Sequence, residues 1–328
     1  MSFQIIRNDI TKVKADAIVN TANPKPVIGG GTDSAVYKAA GRKALLAERK
    51  KIGDIRPGQA AYTKAFKLNA KYIIHTAGPV WQGGKHGEKD VLRLCYENSL
   101  SLACRLKCES VAFPLISSGA YGFPKDTALD IAMSEIGKFL LTHDIEVIMV
   151  VFDRAAFELS EKLMGEIDRF IDEHTVEMIR RDENSDMTGR LMNNPQRRTE
   201  IEEYKKKSLN EILSVKGKTF QQRLFELIDR SGMDDVTVYK KANIDRKLFS
   251  RIRSTADYKP KKNTALAFAI ALELNLSETR DLLQRAGIAF SESSPFDLII
   301  EYFIGNGNYD IFEINAALFK YGQPTLGV

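Results

Sequence analysis

Apolar residues fall into two regimes along the chain. From residue 3 to about 174, short runs rich in Val and Ile alternate with segments whose apolar positions recur every three or four residues. The runs FQIIR (3–7), DAIVNTA (16–22), QAAYTKAF (59–66), KYIIHTA (71–77), SVAFPLI (110–116) and EVIMVVF (146–152) predict six strands. The periodic segments 33–51, 89–107, 125–143 and 154–181 predict helices. Strands this apolar are buried on both faces. With helices between them they predict an α/β three-layer sandwich around a mixed or largely parallel sheet, its crevice at the carboxyl ends of the strands.

Between 175 and 207 the chain turns charged and amide-rich, with few large apolar residues. That segment reads as a partly helical linker between a first domain, 1–174, and a second, 208–328. Beyond it the period is helical throughout, and helices are predicted near 219–231, 236–242, 245–253, 262–275, 277–287, 295–304 and 309–320. The second domain is therefore expected to be all-α.

Composition narrows the class. With 328 residues, 44% apolar and 28% charged, the chain reads as soluble and globular, with two domains the prior expectation. A net charge of +5 is too small for the whole chain to imply nucleic acid. Cys95, Cys104 and Cys108 form no CxxC pair and read as buried small side chains in a reducing compartment. No apolar window approaches the roughly 18 residues of a membrane span, so a cytoplasmic location is expected. His75, His86, His143 and His174 are scattered, which argues against zinc; no metal or cofactor is expected.

Two loops carry candidate chemistry. GGGTDSAVYKAAG (29–41) follows the second strand and opens a helix, where glycines admit a ligand to backbone N–H groups and the helix dipole favours an anion. Alone, this is equally a tight strand-to-helix turn. A dinucleotide fingerprint fits poorly, because Ser34 stands at its third glycine. PLISSGAYGFPKDTA (114–128) repeats the arrangement after another strand. One such loop binds a phosphate, and two imply a diphosphate.

In order, NDITKVKADAIVNTAN, GGGTDSAVYKAAG, YIIHTAGPVW, FPLISSGAYGFP and VVF resemble the macrodomain family, which binds ADP-ribose, over residues 1–174. The likeness is to the MacroD-type subgroup, which hydrolyses ADP-ribose esters on acidic side chains and deacetylates O-acetyl-ADP-ribose. It implies that Asp9 and the Ile10 backbone meet adenine and that Phe152 stacks on it. Asn23 would orient the distal ribose, with Ala22 beside it and Gly29, Gly30 and Gly31 cradling phosphate and ribose. Ser117, Ser118, Gly119, Ala120 and Tyr121 would wrap the diphosphate, and Gly122 and Phe123 close over the ribose. Asp33, ten positions after Asn23, would contact or activate the attacking water. An ester hydrolase needs a positioned water and a group to take its proton, and a carboxylate at a loop-to-helix junction can serve. Plainer roles compete: Asp33 as cap of a helix starting at Ser34, Asp9 as a turn residue, Phe152 as core. Asn20 reads as a loop-ordering amide and His75 as a structural hydrogen-bonding group. Two departures from the family stand out: Asn8 replaces a glycine, and the prolines of PKPVI stiffen the first loop.

In the second domain, VTVYKKANIDRKLFSRIR resembles, more loosely, the helix-turn-helix of Cro- and repressor-like domains, with Asn243 at the glycine of the turn. Lys240, Lys241, Arg246, Lys247, Arg251 and Arg253, with Ser250, would then face double-stranded DNA; Lys259, Lys261 and Lys262 add to the cluster. The alternative is a solvated basic face on a protein-interaction module. The aromatic, acidic segment from 294 onward is expected to pack on the bundle or form a homodimer contact. Three functions result: an eraser acting on ADP-ribosylated protein, a non-catalytic reader coupled to DNA, or a macrodomain with a protein-interaction module.

Overall fold

The computed structural model describes residues 2–152, 161–185 and 217–327. Six strands, β1 (Ser2–Arg7), β2 (Ala17–Thr21), β3 (Ala60–Lys64), β4 (Tyr72–Thr76), β5 (Ser110–Pro114) and β6 (Glu146–Val151), form one sheet in the order β1-β6-β5-β2-β4-β3. β3 runs antiparallel to β4, and every other pairing is parallel. Alternating residues of the central strands serve opposite faces. Ile18, Ile73, Ala112 and Ile148 pack with Val36, Tyr37 and Leu45 of α1 (Gly31–Ala40) and α2 (Arg42–Ile52). Val19, Ile74, Val111 and Phe113 pack with Leu92, Tyr96, Leu129 and Ile136 of α3 (Glu88–Arg105) and α4 (Lys125–Thr142). The result is the expected three-layer mixed-sheet sandwich.

The predicted helix 33–51 is two helices. Gly41 at φ 106 breaks it, since few side chains tolerate that backbone. The predicted helix 154–181 is seen as α5 (Glu161–Ser185), which takes in the first residues expected to be linker; 154–160 and 186–207 lie outside the described residues.

All seven helices expected from 219 onward are present: α6 (Phe220–Ser231), α7 (Asp235–Lys241), α8 (Arg246–Ser254), α9 (Lys262–Ala271), α10 (Leu276–Arg285), α11 (Pro295–Gly305) and α12 (Ile311–Lys320). α9 is buried from Thr264 to Ala271, as an all-apolar helix must be, and stops short of the predicted 275 because Glu273 adopts φ 54.

The helical half seals an edge of the sheet. β1 is an edge strand, with outward N–H and C=O groups that need partners. Asn243, buried and left-handed at φ 54, supplies them: its Oδ1 accepts from Phe3 N at 2.7 Å and its Nδ2 donates to Phe3 O at 2.9 Å. The Phe3 ring meets Phe312 of α12 at 5.3 Å, and a Cβ on Gly137 of α4 would lie 2.9 Å from the Phe312 ring. Tyr302 donates to Glu166 and Tyr321 to Asp168, both on α5. The rings that suggested bundle packing or a homodimer contact are thus used within the chain, and one apolar core runs from the sheet into the helices.

Candidate functional site

A cleft of about 540 Å³ opens at the carboxyl ends of β2, β5 and β6. Its wall on one side is the loop from Asn23 to the start of α1, and on the other the loop after β5. Asn8, Asp9 and Ile10, delivered by β1, and Val150, Val151 and Phe152, delivered by β6, line one end.

The first loop is held from below by buried polar side chains. α1 starts at Gly31 with Gly30 as a cap lacking a side chain, so Asp33 sits inside the first turn and is not the cap of a helix beginning at Ser34. From there its carboxylate reaches back: Oδ2 accepts from Gly29 N and Oδ1 from Asn20 Nδ2, each at 2.6 Å. A Cβ at Gly29 would lie 3.3 Å from Asp33 Oδ2, a tight contact that would press on the carboxylate receiving this N–H. Asn20 also meets His75 Nδ1 at 3.2 Å, and His75 Nε2 meets Thr63 Oγ1 at 3.0 Å. The Thr63 hydroxyl donates to Lys64 O. It therefore accepts from His75 Nε2–H, which assigns the imidazole as neutral, with Nδ1 accepting from Asn20.

Burial, aided by the positive charge of Arg49, drops the His75 pKa to about 3. Burial also pushes Asp33 above the usual carboxylate range, while the hydrogen bonds from Asn20 and Gly29 and the charge of Arg49 pull it part of the way back. Sequence reasoning missed Arg49. It is 1% exposed and donates to Gly53 O, Asn23 O and Pro24 O from beneath the loop. Its only sequence signal was membership of a charged run at a helix end, which ordinarily marks a solvated face. Asn23 lines the cleft half-buried; its Oδ1 accepts from Lys25 N, leaving the amide N–H₂ free to donate.

The second loop is held by backbone shape. Ser117 is buried at φ 63, and Phe123 N donates back to Ser117 O and Gly122 N to Gly119 O. Gly78, also missed, makes room: a Cβ there would overlap Ser117 Oγ and lie 2.9 Å from Ile116 Cγ2. Trp81 N donates to Tyr121 O. The N–H groups of Ser118 through Tyr121, like those of Gly30 to Thr32, donate to no acceptor among the described residues. Such N–H groups suit an anion.

Most of the residues expected at the cleft line it: Asp9, Ile10, Asn23, Gly29, Gly30, Gly31, Asp33, Ser117, Ser118, Gly119, Ala120, Tyr121 and Phe152. Phe152 is not core; it is 79% exposed on the rim. Asp9 both lines the cleft and caps a short 3₁₀ turn at Ile10–Lys12, its Oδ1 accepting from Thr11 N and Oγ1. Partial burial pushes Asp9 up, but those bonds and Lys12 outweigh it and hold the carboxyl below its ordinary value. Three expected residues do not reach the cleft. Ala22 is buried and its N–H is spent on Thr76 O. Gly122 is exposed in the turn that follows and is not among the cleft-lining residues, and Phe123 is 2% exposed with its ring 4.6 Å from that of Trp81.

Of the residues expected to face DNA, Lys240 is excluded. It is buried in the seam, donating to Leu141 O at 3.2 Å with Asp144 at 3.6 Å. Lys241 pairs with Glu273, and Arg253 pairs with Asp235 while its guanidinium lies over Phe225. Arg246, Lys247, Ser250 and Arg251 are exposed on α8, where Asp245 caps the helix as expected.

No group of three or more His, Cys, Asp or Glu among the described residues could hold a metal ion, and no described helix is long and apolar enough to cross a membrane.

A three-layer sandwich opening between two loops of free N–H groups defines an α/β anion-binding protein. The macro domain profile matches residues 19–132. Over 166 residues the chain is 45% identical to a macro domain-containing protein of Methanosarcina mazei, covering 50% of this chain and 88% of that one. It is 41% identical over 165 residues to an O-acetyl-ADP-ribose deacetylase of Citrobacter rodentium, covering 49% of this chain and 93% of that one. A solved structure of an Oceanobacillus iheyensis macrodomain with ADP is 35% identical, with a TM-score of 0.46 over 50% of this chain and 91% of that one. The chain belongs to the macro domain family.

Proposed function

We propose that the cleft binds ADP-ribose and hydrolyses esters at its distal ribose, either an O-acetyl group or the carboxylate linkage of mono-ADP-ribosylated Asp and Glu. The observation that carries the reading is Asp33: a carboxylate on the cleft wall, fixed by two 2.6 Å bonds, each oxygen keeping a second lone pair. The diphosphate lies between the two sets of free N–H groups, and adenine lies at the end formed by Asp9, Ile10 and Phe152. The Asn23 amide orients the distal ribose. A water beside Asp33 attacks the acyl carbon as Asp33 takes its proton; the tetrahedral intermediate expels the ribose hydroxyl, which receives that proton. The products are a carboxylic acid and ADP-ribose. Burial holds the Asp33 carboxyl above its ordinary value, which makes it a better proton acceptor than an exposed carboxylate.

The test is release of acetate from O-acetyl-ADP-ribose and of ADP-ribose from a Glu-modified protein. Wild type turns over both. Asp33→Asn loses activity by about a hundredfold, the range of a lost general base. A wild type that binds ADP-ribose but releases nothing would leave a non-catalytic reader.

A second reading concerns the helical half, which we propose binds double-stranded DNA through α8. The exposed Arg246, Lys247 and Arg251, which have no carboxylate partner among the described residues, favour it. Binding of the full chain to duplex DNA that weakens steeply with salt, and is lost in Arg246→Glu/Lys247→Glu, would support DNA over a protein partner.

A further inference from the structure

We infer that Arg49 is a positioning residue of the hydrolytic site, holding the Asn23 backbone and providing the countercharge for Asp33 through the floor of the cleft. The inference rests on the hydrolase reading above.

Arg49 lies in the last turn of α2 and is the largest of the fully buried side chains. Its bonds go to three neutral carbonyls: Gly53 O, just past its own helix, and Asn23 O and Pro24 O on the cleft loop. No carboxylate among the described residues forms an ion pair with it. A guanidinium buried this way is costly unless an opposite charge lies near, and packing alone would be met more cheaply by an apolar side chain. The nearby buried opposite charge is Asp33, at 2% exposure against 1% for Arg49. The two are separate yet each acts on the other.

The remaining groups around Asp33 do not substitute for it. Asn20 on β2 is uncharged, and His75 on β4 stays neutral behind it. Tyr37, one turn along α1, is pushed up to about 12 by burial and by Asp33 itself, so it remains protonated. Asp54, which also acts on Arg49, is exposed and carries no positive charge to offer Asp33. Arg49 therefore does two separable things. Its donor geometry fixes the peptide that carries Asn23, and its charge favours the ionised form of Asp33.

Two substitutions separate them. Arg49→Gln keeps N–H donors and removes the charge; Arg49→Lys keeps the charge and removes the planar fork. The readouts are the pH profile of kcat on O-acetyl-ADP-ribose and a ¹³C NMR titration of the Asp33 carboxyl, with circular dichroism confirming the fold. In R49Q the carboxyl midpoint rises, and the acid limb of kcat rises with it. In R49K the midpoint stays near wild type while kcat falls about tenfold with KM little changed, because Asn23 is misplaced. Equal loss of kcat in both variants with an unmoved midpoint would reduce Arg49 to packing and overturn the proposal, as would wild-type behaviour in both. Should R49Q not fold, R49K decides alone: lowered kcat at an unshifted midpoint supports the proposal, and unchanged kcat sinks it. The carboxyl titration needs no turnover, so an inactive wild type defeats the hydrolase reading without touching the charge coupling.

Discussion

The two loops that face each other across the cleft reach the same end by different physics. The first rests on a buried polar chain from Thr63 through His75 and Asn20 to Asp33 and Gly29, with Arg49 beneath. The second rests on a left-handed serine, a glycine that yields space to it and a tilted pair of rings, Trp81 and Phe123, behind. A polar support in a low-dielectric interior is sensitive to charge and to unpaired groups. A steric support is sensitive to volume. On the proposed function, the first loop carries the chemistry and the second carries shape.

Substitutions that respect one physics and violate the other sharpen that contrast. The largest effect is expected from Gly78→Ala. The added methyl overlaps Ser117 and crowds Ile116, so the second loop must move. ADP-ribose affinity should fall more than tenfold by calorimetry, with about 1–3 kcal/mol of stability lost. A variant that binds normally would show that the wall is soft.

Next comes His75→Leu, which keeps volume but strands Asn20 and Thr63. It should cost about 1–3 kcal/mol by urea unfolding. A pH signature accompanies it. The folded-state pKa of about 3 lies below the ordinary 6.5, so between those values the unfolded chain binds the extra proton. This contribution erodes stability as pH falls through that window, by up to about 1.4 kcal/mol per pH unit, and is flat above it. His75→Leu should lose that component of the slope. Identical acid dependence in both proteins would mean that the imidazole is not buried neutral.

The smallest effect is Ser117→Gly. At φ 63 glycine relieves a left-handed strain of about 1–2 kcal/mol, offset in part by its greater unfolded-state entropy. Thermal unfolding should show stability unchanged or raised by about 1 kcal/mol. A marked loss would show that the Ser117 side chain supports the second loop by more than shape.

What the sequence made legible follows from range of contact. The six strands and the helices of the second half were readable because period and runs are local, and the cleft residues were readable because their motifs sit at strand ends. Gly41 broke a predicted helix, although an isolated glycine in a helical pattern is often tolerated. The burial of Phe123 against Trp81 was not legible, because nothing local reveals that contact. Lys240 looked like a DNA contact because its partners, Leu141 and Asp144, come from the other half of the chain. Asn243 was read correctly as a left-handed turn residue, but its use as a clamp on the β1 edge depends on a residue far away in sequence. Arg49 was hidden among charged neighbours, and only tertiary structure distinguishes a buried guanidinium from a solvated one.

The central claim is that both loops grip one diphosphate. Titration of the ¹⁵N-labelled protein with ADP-ribose, followed through backbone amide shifts, tests it most directly. The account predicts large, saturable shifts at Gly29 to Thr32 and at Ser118 to Tyr121 with one shared dissociation constant, and little change along α8. Shifts confined to one loop, or centred in the seam between sheet and helices, would contradict it.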